Sequence, residues 1–144
     1  MHIESELEAR VEQFLKTAEP NMGDVLGIEF QSFKRDEIKA VMPVDQNTIQ
    51  PFGILHGGAS VALAETLASL GAWLNLQDER KTAVGVEINA NHVRSVRKGG
   101  RVYGTAVPVH SGRQIQIWEI RIEDERGKLV CSSRCTLAIV DSRT

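Results

Sequence analysis

The chain has 144 residues, of which 42% are hydrophobic and 25% are charged, and its formal net charge is −2. These values are typical of a globular protein with a buried core, and they predict a single domain over residues 1–144. The weak negative charge argues against nucleic acid as a partner. Neither a membrane-spanning run nor a signal peptide is evident, so we expect no membrane partner and a cytoplasmic location.

The two cysteines give no sign of a disulfide or a metal site. Cys131 and Cys135 lie four residues apart in a predicted strand. An extended chain would hold them about 13 Å apart, which is beyond the reach of a disulfide. Two cysteines without a second ligand pair also make a poor zinc site. We expect both to be small core or surface residues.

The first half of the chain predicts two helices and a hairpin. Apolar residues recur at helical intervals over residues 4–19, and Pro20 would end that helix. Residues 27–33 and 37–44 alternate around a charged turn and predict a β-hairpin. A loop follows, and residues 58–76 predict the main helix, which is apolar on nearly every side and therefore expected to be buried.

The second half predicts only strands. Residues 82–93, 100–110, 114–125 and 128–140 are rich in β-branched residues and are separated by turn-like segments. This pattern predicts a meander of long antiparallel strands after the main helix. The fold class is therefore α+β, with a curved antiparallel sheet wrapped around one long central helix and an additional N-terminal helix.

Two features of the main helix suggest a chemical role. His56, Gly57 and Gly58 stand at its start, where free amides and the helix dipole could polarise a carbonyl. These glycines could equally serve only a tight loop. Glu65 is the one ionisable residue of the helix before Asp78, and it suits a base or nucleophile in an apolar cleft. Alternatively, Glu65 points to a solvent-exposed edge of the helix.

The spacing of these features argues for two subunits. Glu65 lies eight residues beyond Gly57, which is about 12 Å along a helix. One small electrophile can hardly contact both parts of the same helix. Two copies of the helix could supply one part each, so we predict a site across a homodimer interface.

The segment LHGGASVALAETLAS, preceded by QPFG and followed by EINANHVRS, resembles the hotdog-fold acyl-CoA thioesterases. The resemblance runs from about residue 27 to residue 140. It is strongest to the bacterial branch of the 1,4-dihydroxy-2-naphthoyl-CoA thioesterase and the enterobactin proofreading thioesterase. It implies a hotdog fold, a homotetramer of paired dimers, and hydrolysis of an aromatic acyl-CoA in menaquinone biosynthesis.

The resemblance also implies catalytic roles. Glu65 would attack the thioester carbonyl or activate a water, while the Gly57 amide of the other subunit polarises that carbonyl. Gln50 and His56 would position the carbonyl and the water. Ser69 lies one turn beyond Glu65 and could hold the water or the carboxylate, although a packing role is equally compatible with its position.

Two further segments are implied as ligand-binding. One is the tetrad of His92, Val93, Arg94 and Ser95, together with Gly85. The other is the loop of His110, Ser111, Gly112, Arg113, Gln114 and Ile115, whose residues after Gly112 differ from the family's usual form. The basic residues near the tetrad could instead be a solvated turn, and both histidines could be structural.

Missing motifs exclude other chemistries. There is no G-x-S-x-G elbow, phosphate-binding loop, dinucleotide fingerprint or metal-ligand cluster in the sequence. We therefore expect no metal and no cofactor, with the CoA thioester as substrate. The alternatives are a proofreading thioesterase acting on misacylated carrier protein, a broad-range acyl-CoA thioesterase, a hotdog hydratase or dehydratase, and a non-catalytic acyl-CoA-binding module.

Overall fold

The computed structural model describes residues 1–143, and Thr144, the last residue of the predicted domain, lies outside the described residues. The chain begins with β1 (His2–Ile3), a 3-10 turn (Ser5–Leu7), α1 (Glu8–Thr17) and α2 (Met22–Leu26). The hairpin of β2 (Glu29–Lys34) and β3 (Glu37–Pro43) follows, and then the long helix α3 (Gly57–Leu74). The strands β4 (Lys81–His92), β5 (Arg101–Ser111), β6 (Ile115–Glu123) and β7 (Leu129–Asp141) complete the chain.

The strands form one seven-stranded sheet in the order β1-β2-β3-β5-β6-β7-β4, and α3 packs against β3 to β7. All neighbouring pairs are antiparallel except the short β1, which runs parallel to β2. The α+β class and the sheet around one central helix are confirmed. Within residues 1–143, no helix is long and apolar enough to span a membrane.

The meander prediction is wrong for β4. Only β5, β6 and β7 follow one another across the sheet, whereas β4 lies at the far edge and pairs with β7. The cause is α3, which crosses the face of the sheet after β3 and returns the chain at the opposite edge. Turn signals in the sequence mark where strands end but not which strand is the neighbour.

The N-terminal region also differs from its prediction. The regular helix covers only Glu8–Thr17, after one 3-10 turn, instead of residues 4–19. The second helix, α2, was not predicted. Its first turn is fixed by a reciprocal capping box between Asn21 and Asp24, and Gly27 ends it in the left-handed conformation.

The core lies between α3 and the sheet, and its largest buried side chain is Trp118 on β6. The indole donates a hydrogen bond to Gln116, which in turn donates to the Ala72 carbonyl of α3. A Cβ atom at Gly71 would lie 2.6 Å from the Trp118 ring, so only glycine allows the helix to approach this closely. This contact sets the height of α3 above the sheet.

Both cysteines are free and fully buried on β7, so of the two expected positions both occupy the core. Burial raises the pKa of the Cys131 thiol. Burial, and to a lesser degree the charges of Glu65 and Glu87, raise the pKa of Cys135 to about 11. Because the thiolate is the reactive form, both thiols should be protected from reagents.

We predict that the native protein at pH 8 shows no fast reaction with 5,5′-dithiobis(2-nitrobenzoate), and that two thiols react in denaturant. The matched control is Ser132→Cys, an exposed position between the two cysteines, which should add one rapidly reacting thiol. Fast modification of the native wild-type protein would contradict the burial of these strand residues.

Candidate active site

The start of α3 is held in a defined geometry by His56. Its Nδ1 accepts a hydrogen bond of 2.7 Å from the Gly58 amide, which makes His56 the N-cap of the helix. Its own amide donates to the Thr48 carbonyl. Because Nδ1 is an acceptor, the neutral ring carries its proton on Nε2, which is free to donate.

The amide of Gly57 is available at the same helix start. It donates to no backbone carbonyl within residues 1–143, as expected for the first residue of a helix. A Cβ atom on Gly57 would lie 2.8 Å from Nε2 of His92, so the imidazole of His92 lies directly against this glycine. The helix start and the end of β4 therefore meet.

A cleft of about 330 Å³ opens at this junction. Gly57 lies on one side of it, and His92, Val93, Arg94 and Ser95 lie on the other. The predicted tetrad is thus brought to the helix start. Ser60 also lines the cleft, and its buried hydroxyl has no hydrogen-bond partner among the described residues. No sequence pattern marks Ser60, since a serine in the first turn of a helix is common.

Gln50 lies in the loop before α3, within a tight turn. The Gly53 amide donates to the Gln50 carbonyl, and the Phe52 amide donates to its side-chain oxygen. Gly53 adopts a positive φ of 81°, which the turn requires. With its oxygen held in this way, the Gln50 side chain has its NH₂ group left as a donor.

Glu65 lies elsewhere, on the face of α3 that borders a larger cavity of about 830 Å³. Its side chain is half-buried, and none of the ion pairs formed by residues 1–143 includes it. Ser69, one turn further along, borders the same cavity. The carboxylate is therefore neither paired with a cation nor fully in water.

Gly85 on β4 makes room for this carboxylate. A Cβ atom at Gly85 would lie 2.6 Å from Oε1 of Glu65, so the carboxylate rests directly on the strand backbone. The strand has a bulge just beyond this point, between Gly85 and Glu87. Gly85 was predicted as a ligand-binding residue, and its observed contact is with Glu65 itself.

The predicted loop 110–115 comprises the last two residues of β5, the turn 112–114 and the first residue of β6. The Gly112 amide donates to the Ile115 carbonyl, and the Ile139 amide of β7 donates to the Gln114 carbonyl. His110, Ser111, Arg113, Gln114 and Ile115 are exposed. The loop adjoins Gln116, which belongs to the same row of the sheet as Gly85.

Most of the predicted site residues therefore fall into two groups. The helix-start group comprises Gln50, His56, Gly57 and the tetrad 92–95. The carboxylate group comprises Glu65, Ser69 and Gly85, whereas residues 110–115 line neither the cavity beside Glu65 nor the cleft at the helix start. Gly85 and His92 lie seven residues apart on β4, or about 23 Å, so one chain does not bring the two groups together.

The described residues also contain no group of three or more His, Cys, Asp or Glu side chains placed to hold a metal ion.

The cavity beside Glu65 has a wall that sequence reasoning missed. Phe14, Leu15, Ala18 and Met22 of the N-terminal region line it. The apolar residues of α1 that stay outside the core could have indicated this surface.

Comparison with known proteins identifies the family of this chain. A sequence profile described as "Thioesterase superfamily" matches residues 52–131, which is more than half of the chain. The chain belongs to this superfamily. The matched range includes every predicted site residue except Gln50, and membership makes the protein a thioester hydrolase with the hotdog fold.

Two curated relatives are similar over most of their length. The 1,4-dihydroxy-2-naphthoyl-CoA hydrolase of Escherichia coli is 53% identical over 122 residues, which is 85% of this chain and 88% of the relative. The proofreading thioesterase EntH of Cronobacter turicensis is 50% identical over 115 residues, with 80% and 82% covered.

Solved structures of thioesterases share the fold. A Haemophilus influenzae thioesterase superimposes with a TM-score of 0.81 at 49% identity, over 92% of this chain and 90% of that one. A Staphylococcus aureus thioesterase does so with a TM-score of 0.78 at 36% identity, over 82% and 97%. Two variants of the S. aureus protein were solved. In one a glutamine is replaced by alanine, and in the other a glutamate fifteen residues further along the chain is replaced by alanine.

We predict that Gly85→Ala lowers kcat for acyl-CoA hydrolysis by about tenfold or more, because the added methyl group displaces the Glu65 carboxylate. The measurement is thiol release under saturating substrate, with the melting temperature recorded for each variant. The control is Asn89→Ala on the same strand, which should retain wild-type kcat. A fully active and folded Gly85→Ala protein would contradict the predicted catalytic role of Glu65 or its contact with Gly85.

Proposed function

We propose that this thioesterase hydrolyses an aromatic acyl-CoA of the 1,4-dihydroxy-2-naphthoyl type to the free acid and CoA, as a step of menaquinone biosynthesis. The observation that carries the proposal is the mostly apolar cavity that the Glu65 side chain borders. The similarity to the E. coli 1,4-dihydroxy-2-naphthoyl-CoA hydrolase supports it. The experiment is a comparison of kcat/KM across aromatic and aliphatic acyl-CoA esters, in which the naphthoyl ester should rank highest.

A second candidate is hydrolysis of misacylated carrier protein, favoured by the similarity to EntH of Cronobacter turicensis. The same assay separates the two functions when acyl-CoA and acyl-carrier-protein esters of one acyl group are compared. A higher kcat/KM for the carrier-protein ester would favour proofreading.

Glu65 acts on the thioester in one of two ways in this proposal. As general base, it takes a proton from water, whose oxygen attacks the carbonyl carbon. As nucleophile, it attacks the carbonyl itself and forms a mixed anhydride that water then hydrolyses. In both routes the C–S bond breaks, CoA leaves as the thiolate and is protonated, and the acid is released.

The residues at the helix start donate hydrogen bonds to the thioester oxygen or to the attacking water. The free Gly57 amide, reinforced by the helix dipole, donates to the thioester oxygen as negative charge develops there. The Nε2–H of His56 and the side-chain NH₂ of Gln50 donate to the same oxygen or to the attacking water. Both groups are pre-oriented because their other hydrogen-bonding atoms are already occupied.

The coenzyme occupies the cleft at the helix start and the surface beyond it. Val93 and Ser95 contact the pantetheine arm, and Arg94 pairs with a phosphate of CoA. The exposed Arg97 and Lys98 extend this basic surface. The loop 110–115 of the other subunit contacts the coenzyme from the opposite side.

Two copies of the chain form each site in this proposal. The separation of the two groups along one rigid helix supports it, and so does β4, a twelve-residue edge strand with unpaired backbone groups on its outer side. Val84 and Val86 on this strand are 44% and 65% exposed. Antiparallel pairing of two β4 strands would cover them and bring each Glu65 towards the partner's helix start.

We predict that Glu65→Gln lowers kcat by between about 10²- and 10⁴-fold, because the amide can neither accept a proton from water nor attack the carbonyl. The measurement is thiol release at saturating acyl-CoA. The control is Glu79→Gln on the exposed connection between α3 and β4, which should keep wild-type kcat. Near-normal turnover by folded Glu65→Gln protein would remove this residue from the mechanism.

We predict that two inactive proteins regain activity when mixed. Glu65→Gln lacks the carboxylate, and Gly57→Val blocks the helix start. Random exchange makes half of the dimers mixed, each with one intact site of two, so about a quarter of wild-type activity should appear. Mixing two differently tagged Glu65→Gln proteins is the control for exchange. Mixed dimers without activity would show that both groups act within one chain.

A further inference from the structure

The N-terminal region forms one side of the open cavity beside Glu65. The side chains of Phe14, Leu15 and Met22 come from α1 and α2, and Phe30, Leu70 and Trp73 come from β2 and α3. A volume of about 830 Å³ is in the usual range for small-molecule sites, which are mostly apolar with few polar groups. Glu65 borders this same space, so a group attached to a carbonyl near the carboxylate would extend towards α1.

The wall formed by α1 is fixed to the rest of the protein. Leu7 and Val11 are fully buried in the core. The guanidinium of Arg10 lies 4.3 Å from the centre of the Trp73 ring and donates to the Leu76 carbonyl, just beyond the end of α3. Helix α1 is therefore clamped onto α3 by both apolar and cation–π contacts.

These contacts between α1 and α3 set the position of Phe14. Its ring meets the edge of Phe30 at a centroid distance of 6.2 Å and an interplanar angle of 77°, and it lies 6.2 Å from Trp73. These three rings form an aromatic corner of the cavity. Such a corner offers ring faces and edges to a flat ligand.

The charges around the cavity all have one sign. Its described lining includes the carboxylates of Glu19, Asp24 and Glu65 and contains no Lys, Arg or His. An acyl group that carries its own carboxylate would meet repulsion from these residues. A neutral acyl group would not.

We propose that the segment from α1 to α2 is the specificity wall of the acyl pocket, with Phe14, Leu15, Ala18 and Met22 selecting neutral, flat, ring-containing acyl groups. This inference rests on the proposed function, since it takes hydrolysis at Glu65 as the reaction. It assigns a role to an N-terminal region that lies before the matched range of the superfamily.

The test uses two substitutions with opposite effects on volume. Ala18→Leu adds a side chain to the cavity from an exposed position, and Phe14→Ala removes one ring of the corner. For each protein, kcat/KM is measured with butyryl-CoA and 2-naphthoyl-CoA, and their ratio is compared. The matched control is Gln13→Leu, which adds the same side chain to the exposed side of α1, away from the cavity.

Both cavity substitutions should lower the ratio of naphthoyl to butyryl activity by about tenfold or more, Ala18→Leu by obstruction and Phe14→Ala by loss of apolar contact. Gln13→Leu should leave the ratio at the wild-type value. An unchanged ratio in Ala18→Leu would overturn the inference, and this variant decides the matter if Phe14→Ala fails to fold.

A separate experiment tests the preference for neutral acyl groups. Hexanoyl-CoA and adipoyl-CoA have equal chain lengths, but the second ends in a carboxylate. Wild-type kcat/KM should favour hexanoyl-CoA by about tenfold or more, and Glu19→Lys should reduce that preference. Equal rates for both esters in the wild-type protein would overturn the selection for neutral groups.

Failure of the inference is distinguishable from failure of the proposed function. If wild-type turnover depends on Glu65 but the substrate ratios do not change in the α1 variants, only the specificity wall is wrong. If Glu65→Gln retains full activity, the proposed mechanism is wrong and the ratios still report independently on where the acyl group binds.

Discussion

The stiffness of α3 is the constraint from which the arrangement of the site follows. An unbroken helix from Gly57 to Leu74 separates the backbones of Gly57 and Glu65 by about 12 Å along its axis. Gly57 therefore borders the cleft at the end of β4, and Glu65 borders the large cavity behind α1. No side-chain rotation can close this gap. A reaction that needs both groups at one carbonyl needs two helices, and the unpaired edge of β4 offers a way to bring a second one.

Close contacts at glycines tie the helix to the sheet, and three of them mark its start, middle and end. Gly57 meets His92 at the helix start, Gly85 meets Glu65 in the middle, and Gly71 meets Trp118 near the end. At each level a Cβ atom would collide with the opposing side chain. Two of these contacts position residues of the proposed site, and the third sets the distance between the layers. The glycines thus act by being small, which is different from the turn-forming role of Gly53.

The spacing of the glutamine and the glutamate connects this chain to a distant relative. Gln50 and Glu65 are fifteen residues apart, the same interval as between the two positions replaced by alanine in the S. aureus thioesterase. In this chain the interval spans the Gln50–Gly53 turn, the capping residue His56 and two turns of α3. A helix and a hydrogen-bonded turn both have fixed lengths, so the interval fixes the relative positions of the two side chains.

The sequence by itself determined the fold class, the main helix to within two residues at either end, and the order of Gln50, His56, Gly57 and Glu65. These follow from local rules, namely the period of apolar residues, the free amides at a helix start and the rise per residue. Only the tertiary structure decided that β4 lies at the sheet edge, that Gly85 supports Glu65, and that Phe14 and Met22 face the same cavity as Glu65. Those relations join residues that are distant in the chain, and they depend on how α3 crosses the sheet and how Arg10 fastens α1 to Trp73. No local pattern contains that information, because strand neighbours and cavity walls are set by packing between elements.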